Sequence, residues 1–504
     1  MVWNYKKKIN SQGITLIIII AILIFYKTWV LNSFGLKFYD SDEAIMSCGA
    51  YDYSRGDFHT PGFYGQSYNP MFESLVAVPF LWMGLKAYIV LPFISSLLSL
   101  SPYIILTWLT YRRGLYATSL IILAIPFALP VEYDFITSLS RGWVGGIFVA
   151  SLAFFSLSGE GSRFKYSWFG FISILAFLIG SGSIFILVPT FIFFAFIHYK
   201  ESKFWIYLLI GAIPALVIVG LFFSFYLGHP NENLHKIELV ISLNNLYKGL
   251  SMMVELFKNV TLMMIPPIML YLVIPVISAI WFIYKRKYPE VLAIIGFLFV
   301  FLFSLTMSKV YDGTDSVFYS YSRAFLGLPI VLGLLLSRFE LKAVSVYSYL
   351  PAILVGFLAY KAYLFPVAIA EAQKSDSVVT VADIDIFLND SHKLSQLCKE
   401  KKVDLVVVNN HWFYDHFTYG SPSIEANFPL TLRPAYERRT WRLKEESKKI
   451  NKTILLIDRG RDISQDSTLN ISAVPNFEGY FIISNNQTNT IDLLKHLQIP
   501  IREF

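Results

Sequence analysis

The run GITLIIIIAILIFYKTWVL, residues 13–31, follows three lysines in a row, Lys6, Lys7 and Lys8. As a helix rising 1.5 Å per residue it is about 28 Å long, close to the thickness of a bilayer's hydrocarbon core. It lacks a short apolar stretch followed by a small-residue cleavage site, so the segment is expected to be retained, and the lysines place its N-terminus in the cytoplasm. Outward from it the pattern recurs at about 88–111, 114–131, 143–158, 167–180, 184–198, 204–227, 261–284, 290–308, 324–337 and 343–365. About eleven spans result, an odd number that sends the C-terminus outside. The basic residues agree: Arg112, Arg113, Arg163, Lys165, Lys200, Lys203, Lys285, Arg286, Lys287, Arg338 and Lys342 all fall in loops that this layout turns inward.

Composition excludes the other broad classes. Hydrophobic residues make up 55% of the 504 and charged ones 15%, against about 45–50% and about 25% in soluble domains. With 17% aromatic residues the chain is not disordered. Of the net charge of +7, the excess lies before residue 371, where 25 Lys and Arg face 17 Asp and Glu; from there on 17 face 18. Bases clustered between apolar runs are orientation signals rather than a nucleic-acid surface, so no nucleic-acid partner is expected. Cys48 and Cys398 are too few for a disulfide framework and are expected to be free thiols.

From about Glu371 the apolar runs shorten to Val378–Val381, Val403–Val408, Thr453–Ile457 and Tyr480–Ile483, alternating with helix-like stretches at about 390–402 and 489–498. Strand–helix alternation of this kind predicts a small α/β domain with a partly parallel sheet. The expected architecture is therefore a polytopic α-helical membrane domain over 1–370 and an extracytoplasmic α/β domain over 371–504. Between them in interest, if not in order, is the long first outer loop, about 32–87. The stretch 413–450 reads as irregular and charged. At or just before its start, His411, Asp415 and His416 lack a Cys partner and the spacing of a metal site, and no metal is assigned to them.

The first outer loop opens with Tyr39-Asp40-Ser41-Asp42-Glu43-Ala44, three carboxylates directly after the first span. A carboxylate at the membrane surface reaches a hydroxyl acceptor while partly desolvated, as a general base requires; a plain solvated flank is the competing reading. Asp42 and Glu43 are adjacent and point about 100° apart on a helix, so one acts and the other orients or caps. The loop continues through Gly56-Asp57-Phe58, Pro61, Tyr64-Gly65-Gln66, Tyr68 and Glu73 to an apolar juxtamembrane helix at 74–84.

In that order these residues resemble the GT-C superfamily of integral-membrane glycosyltransferases. The likeness is to bacterial relatives of the protein O-mannosyltransferases and of the lipid A aminoarabinose transferases. Asp42-Glu43-Ala44 matches the Asp-Glu-Ala at the start of their outer loop, and Gly56-Asp57-Phe58 with Pro61 matches their Gly-Asp-aromatic and Pro. Tyr64, Gly65, Gln66, Tyr68 and Glu73 match a bacterial branch. The chain departs at the Lys-Pro-Pro of better-known members, where it reads Tyr68-Asn69-Pro70-Met71, so a lysine contact to the donor phosphate does not carry over. The second outer loop offers Glu132, Asp134 and Arg141 where those families bring an acidic residue and an arginine. The last outer loop ends in Arg323 before Pro329, like their Arg-Tyr-x-x-Pro entrance with the aromatic displaced by one. Each of these also has a plain reading, as a polar loop or a snorkelling arginine.

The resemblance implies an inverting transferase that moves a sugar from a polyprenyl-phosphate donor to a lipid, protein or glycan acceptor on the outer face. Asp42 and Glu43 would be catalytic. Tyr64, Gln66, Tyr68, Glu73, Asp134, Arg141 and Arg323 would bind substrate. No nucleotide-binding loop is required, because the donor is already activated, and no cofactor is assigned; the acidic residues permit a divalent metal, which some members use, without implying one. A polysaccharide polymerase or ligase remains an alternative, although a large outer loop later in the chain would be expected of it. A transporter is the other, and it should carry ionisable residues at helix centres, of which the spans show none.

Overall fold

In a computed structural model, residues 11–157, 161–235, 239–339, 345–374, 380–425, 427–463 and 469–503 are described. The N-terminal lysines, Lys342, and Val378 and Val379 lie outside them. Among the described residues, helices cover part of each of the eleven apolar runs. Five helices among the described residues are long and apolar enough to cross a membrane: Gly13–Gly35, Ala87–Arg112, Ser181–His198, Ser202–Gly228 and Ala352–Ala372. Further apolar helices, among them Tyr116–Ala128, Met269–Tyr284 and Tyr288–Ser304, are shorter. The helices used below are α1 (Ser11–Val30), α2 (Ser41–Arg55), α3 (Phe72–Trp82), α4 (Ala87–Arg112), α5 (Tyr116–Ala128) and α6 (Val131–Ile136).

The chain forms two compact units. One comprises Met1–Phe34, Ser95–Val219 and Ile237–Lys374; the other comprises Gly35–Ile94, Gly220–Lys236 and Ser375–Phe504. The C-terminal break thus falls at Lys374/Ser375, and most of the first outer loop is in one unit with the tail.

The first unit is helical. Leu16 and Leu23 of α1, Leu100 of α4, Leu120, Leu123 and Phe127 of α5, and Leu350 and Leu354 of the Ser345–Ala372 helix form one buried cluster. Outward-facing apolar side chains are equally characteristic. Along Ser202–Gly228, Ile206, Leu209, Ile213, Leu216 and Leu221 are all more than half exposed, the all-round apolar surface of a helix that meets lipid.

The second unit is built on a five-stranded sheet of order β4-β3-β5-β7-β6, with β3 Leu405–Asn410, β4 Leu430–Leu432, β5 Thr453–Asp458, β6 Asn470–Ala473 and β7 Tyr480–Ser484. The pairs β3–β4 and β3–β5 are parallel, and β5–β7 and β6–β7 antiparallel. The central strands β3 and β5 are buried almost throughout, as strands covered on both faces must be, which explains their unbroken Val, Ile and Leu runs. A separate antiparallel pair joins β1 (Phe38–Asp40) to β2 (Val381–Asp383), with Tyr39 opposite Ala382. The first outer loop is largely helical: α2 packs on α3, Ser74 Oγ donating to the Met46 carbonyl at 2.8 Å and Trp82 Nε1 to that of Ser54 at 2.8 Å.

Candidate functional site

The carboxylate cluster is placed by a helix start. Asp40, in extended conformation at the end of β1, caps α2 by accepting from the backbone N–H groups of Asp42 at 2.8 Å and Glu43 at 3.0 Å. The cap is thus Asp40, fully buried, rather than either member of the Asp42–Glu43 pair. The sequence missed this because a capping aspartate and a solvated one look alike without φ and ψ. The helix is closed at its other end by Gly56 in the left-handed region, φ 85°, whose N–H donates to Asp52 and Tyr53. Asp42 lies in the first turn, half-buried; Glu43, one residue on, is 1% exposed. Acidic side chains there also face the positive end of the helix dipole.

The other matched residues of this unit take distinct places. Tyr64 is buried and donates to Asp52 Oδ2 at 2.6 Å, with Trp441 edge-on to its ring at 5.1 Å. Burial pushes the Asp52 carboxyl up, opposed by that hydrogen bond. Gln66 is half-buried in the turn that follows, its N–H bonded to the Phe63 carbonyl at 2.8 Å. Glu73 is fully buried in the first turn of α3. Tyr68 is half-buried and lies, with Asp42, in the electrostatic surroundings of Arg438.

Sequence reasoning missed Arg438. Burial opposes its charge, but Asp415 and Asp42, with Tyr419 and Tyr68, outweigh that and push the guanidinium above its ordinary value. His235 belongs to the same group: burial and Arg438 push its imidazole down, and Asp42 opposes them. The only signal was the run Arg438-Arg439, in which the neighbour is a buried ion-pair partner of Glu437 at 2.8 Å. His411, Asp415 and His416 serve separate contacts. His416 Nε2 donates to the Tyr39 carbonyl at 2.9 Å, Asp415 pairs with Arg433 at 2.7 Å, and His411 Nδ1 accepts from the Phe413 N–H at 3.0 Å.

In the first unit Asp134, on α6, is fully buried between two ammonium groups, Lys27 Nζ at 2.5 Å and Lys361 Nζ at 2.6 Å, and also accepts from Tyr26 OH at 2.6 Å. Lys361 sits in the middle of the Ala352–Ala372 span. The expectation that no ionisable residue lies deep in a span is therefore corrected: Lys361 donates to the Pro126 carbonyl at 2.9 Å as well as to Asp134, so its charge is satisfied where hydropathy alone forbids it. Arg141 donates to the Phe318 carbonyl and lies over the Trp143 ring. Arg323 lies over the Tyr319 ring at 3.9 Å and donates to the Ser320 carbonyl at 3.0 Å. Both arginines thus grip the segment 318–320. Beside it, a polar cavity of about 330 Å³ is lined by Glu132, Lys258, Asn259, Asp315, Ser316 and Glu371 among others.

No family profile and no curated protein matches the chain. A solved structure does: ArnT from Cupriavidus metallidurans in the apo state, at 12% identity and a TM-score of 0.54, over 94% of this chain and 98% of that one. At that identity the likeness is one of fold, and it runs through both units.

Proposed function

We propose that this chain is an inverting membrane glycosyltransferase that uses a polyprenyl-phosphate sugar donor on the outer face of the membrane, with Asp42 as general base. The observation that carries the reading is the start of α2: a buried Asp40 cap fixes the helix, leaving Asp42 half-exposed in its first turn with a cationic Arg438 in its surroundings. The shared fold with ArnT, whose name matches one of the families that the outer loop resembles, supports it. In the reaction, the acceptor hydroxyl gives its proton to the Asp42 carboxylate as its oxygen bonds to the anomeric carbon. The bond from that carbon to the phosphate oxygen breaks, its electron pair leaves with the phosphate, and the configuration inverts. Partial desolvation of the carboxylate favours proton transfer, and a cation stabilises the leaving phosphate.

The test is a membrane assay of the full chain with a panel of radiolabelled polyprenyl-phosphate sugars, scored for transfer to lipid, protein or glycan. Transfer from at least one donor is expected. A transporter is the second reading, because Lys361 is an ionisable group within a span. Against it, Asp134 closes on both lysines and Tyr26, which leaves the group locked. No transfer from any donor, together with solute flux in proteoliposomes, would favour the transporter.

A further inference from the structure

Four arginines lie between residues 433 and 442. Arg433 pairs with Asp415 at 2.7 Å, Arg439 with Glu437 at 2.8 Å and Arg442 with Glu445 at 2.7 Å. Among the described residues Arg438 has no such partner, and its buried Nη1 has no hydrogen-bond acceptor. A desolvated guanidinium N–H without an acceptor is costly, and a group kept in that condition is suited to an anion.

The side chain is nevertheless held in place. Its backbone N–H donates to Tyr419 OH at 3.0 Å. Its stem packs on Gly65, where an added Cβ would lie 3.2 Å from Arg438 Cγ and 3.3 Å from its Cβ; Gly65 is also in the left-handed region, φ 81°. Its guanidinium carbon lies 5.8 Å from the centre of the Phe63 ring. The Gly65 carbonyl accepts from the N–H groups of Leu234 at 2.8 Å and His235 at 3.3 Å, which brings His235 to the same place. Thus the glycine of Tyr64-Gly65-Gln66 is the seat of an arginine from the C-terminal part of the chain. Tyr68, which shares its electrostatic surroundings, opens the Tyr68-Asn69-Pro70-Met71 stretch that lacks the lysine.

We propose that Arg438 binds the phosphate ester of the lipid donor, in place of the lysine that the stretch Tyr68-Asn69-Pro70-Met71 lacks. This rests on the glycosyltransferase reading above. Of the charges around it, Asp415 is neutralised by Arg433; Asp42 repels an anion, and Arg502, the other cation acting on His235, offsets it. The fork geometry of a guanidinium suits two oxygens of one phosphate.

The experiment is calorimetric titration of the detergent-solubilised full chain with farnesyl phosphate, farnesol and inorganic phosphate. The wild type should bind farnesyl phosphate. Arg438→Gln should weaken that binding by at least about tenfold and leave farnesol unchanged, and Arg438→Lys, which keeps the charge but loses the fork, should fall several-fold short of wild type. Should Arg438→Gln fail to fold, Arg438→Lys carries the test alone. Inorganic phosphate that binds as tightly as farnesyl phosphate would overturn the assignment to a lipid ester. Undiminished farnesyl phosphate binding by the variants would overturn the role of Arg438 while wild-type transfer still upheld the enzyme. A wild type that neither binds nor transfers would remove both.

Discussion

Asp40 and Asp42 are two residues apart, yet their surroundings assign them different work. Asp40 is fully buried and caps a helix with both bonds made to its carboxylate, and asparagine caps as well as aspartate. Asp40→Asn should therefore leave turnover per folded molecule within about tenfold of wild type, a barrier change of less than about 1.4 kcal/mol. Asp42→Asn keeps size and hydrogen bonding but removes the base, and should lower transfer by about 10²–10⁴. Both are measured as initial rates with a donor that the wild type uses. Near-normal turnover of Asp42→Asn alongside a dead Asp40→Asn would reverse the assignment. The motif residues were legible here because their order is linear. Asp40's role and Arg438's place were not, since the cap depends on backbone angles and the arginine is about 400 residues from the carboxylate whose charge acts on it.

At the level of elements, two joints have consequences that can be measured. The first joins α1, α6 and the Ser345–Ala372 helix through Lys27, Asp134 and Lys361, a fully buried group with one excess positive charge. Removing Lys361 leaves a neutral pair, whereas removing the Asp134 charge leaves two buried ammonium groups with no counterion. Breaking a buried pair typically costs about 3–5 kcal/mol, so Asp134→Asn should lower the unfolding temperature in detergent much more than Lys361→Met; equal losses would show that charge balance is not what matters. The second joint is β1 against the 416–420 turn, through His416 and the Tyr39 carbonyl. Burial pushes the His416 imidazole down to about 4, against about 6.5 in an unfolded chain. A depressed folded value means that its contribution is intact above about pH 6.5 and is lost as pH falls toward 4, about 3 kcal/mol in all. His411, also pushed down to about 4 by burial, acts in the same direction. Unfolding temperatures followed from pH 7 to 4 should fall in the wild type and fall less in His416→Gln. Strands β3, β5 and β7 were legible as apolar runs, whereas β1, β4 and β6 were not. The latter have three or four residues each, and β6 is largely exposed, so neither length nor apolar pattern marks them.

For the whole molecule, apolar run length revealed where helices lie, because burying a backbone in lipid leaves helices as the available form. It did not reveal that the first outer loop belongs with the tail, since that association rests on pairings such as Phe38 with Asp383, which span almost 350 residues. Orientation is the property of the whole chain that the proposed chemistry needs, because a polyprenyl-phosphate sugar is used where its acceptor is. Alternation of basic loops predicts that Lys200 faces the cytoplasm and the tail faces outside. The native thiols make a clean background for testing this. Cys48 and Cys398 are both free and buried, and burial pushes the Cys398 thiol up to about 12 and that of Cys48 higher still, so neither forms the reactive thiolate readily. Single cysteines at the exposed positions Gln396 and Lys200 should then report alone. With a membrane-impermeant maleimide on intact cells, Gln396→Cys should label and Lys200→Cys should label only after lysis. The opposite pattern would put the tail, and with it Asp42 and Arg438, on the side where nucleotide sugars rather than lipid-linked ones are at hand, and would remove the ground for a lipid-linked donor.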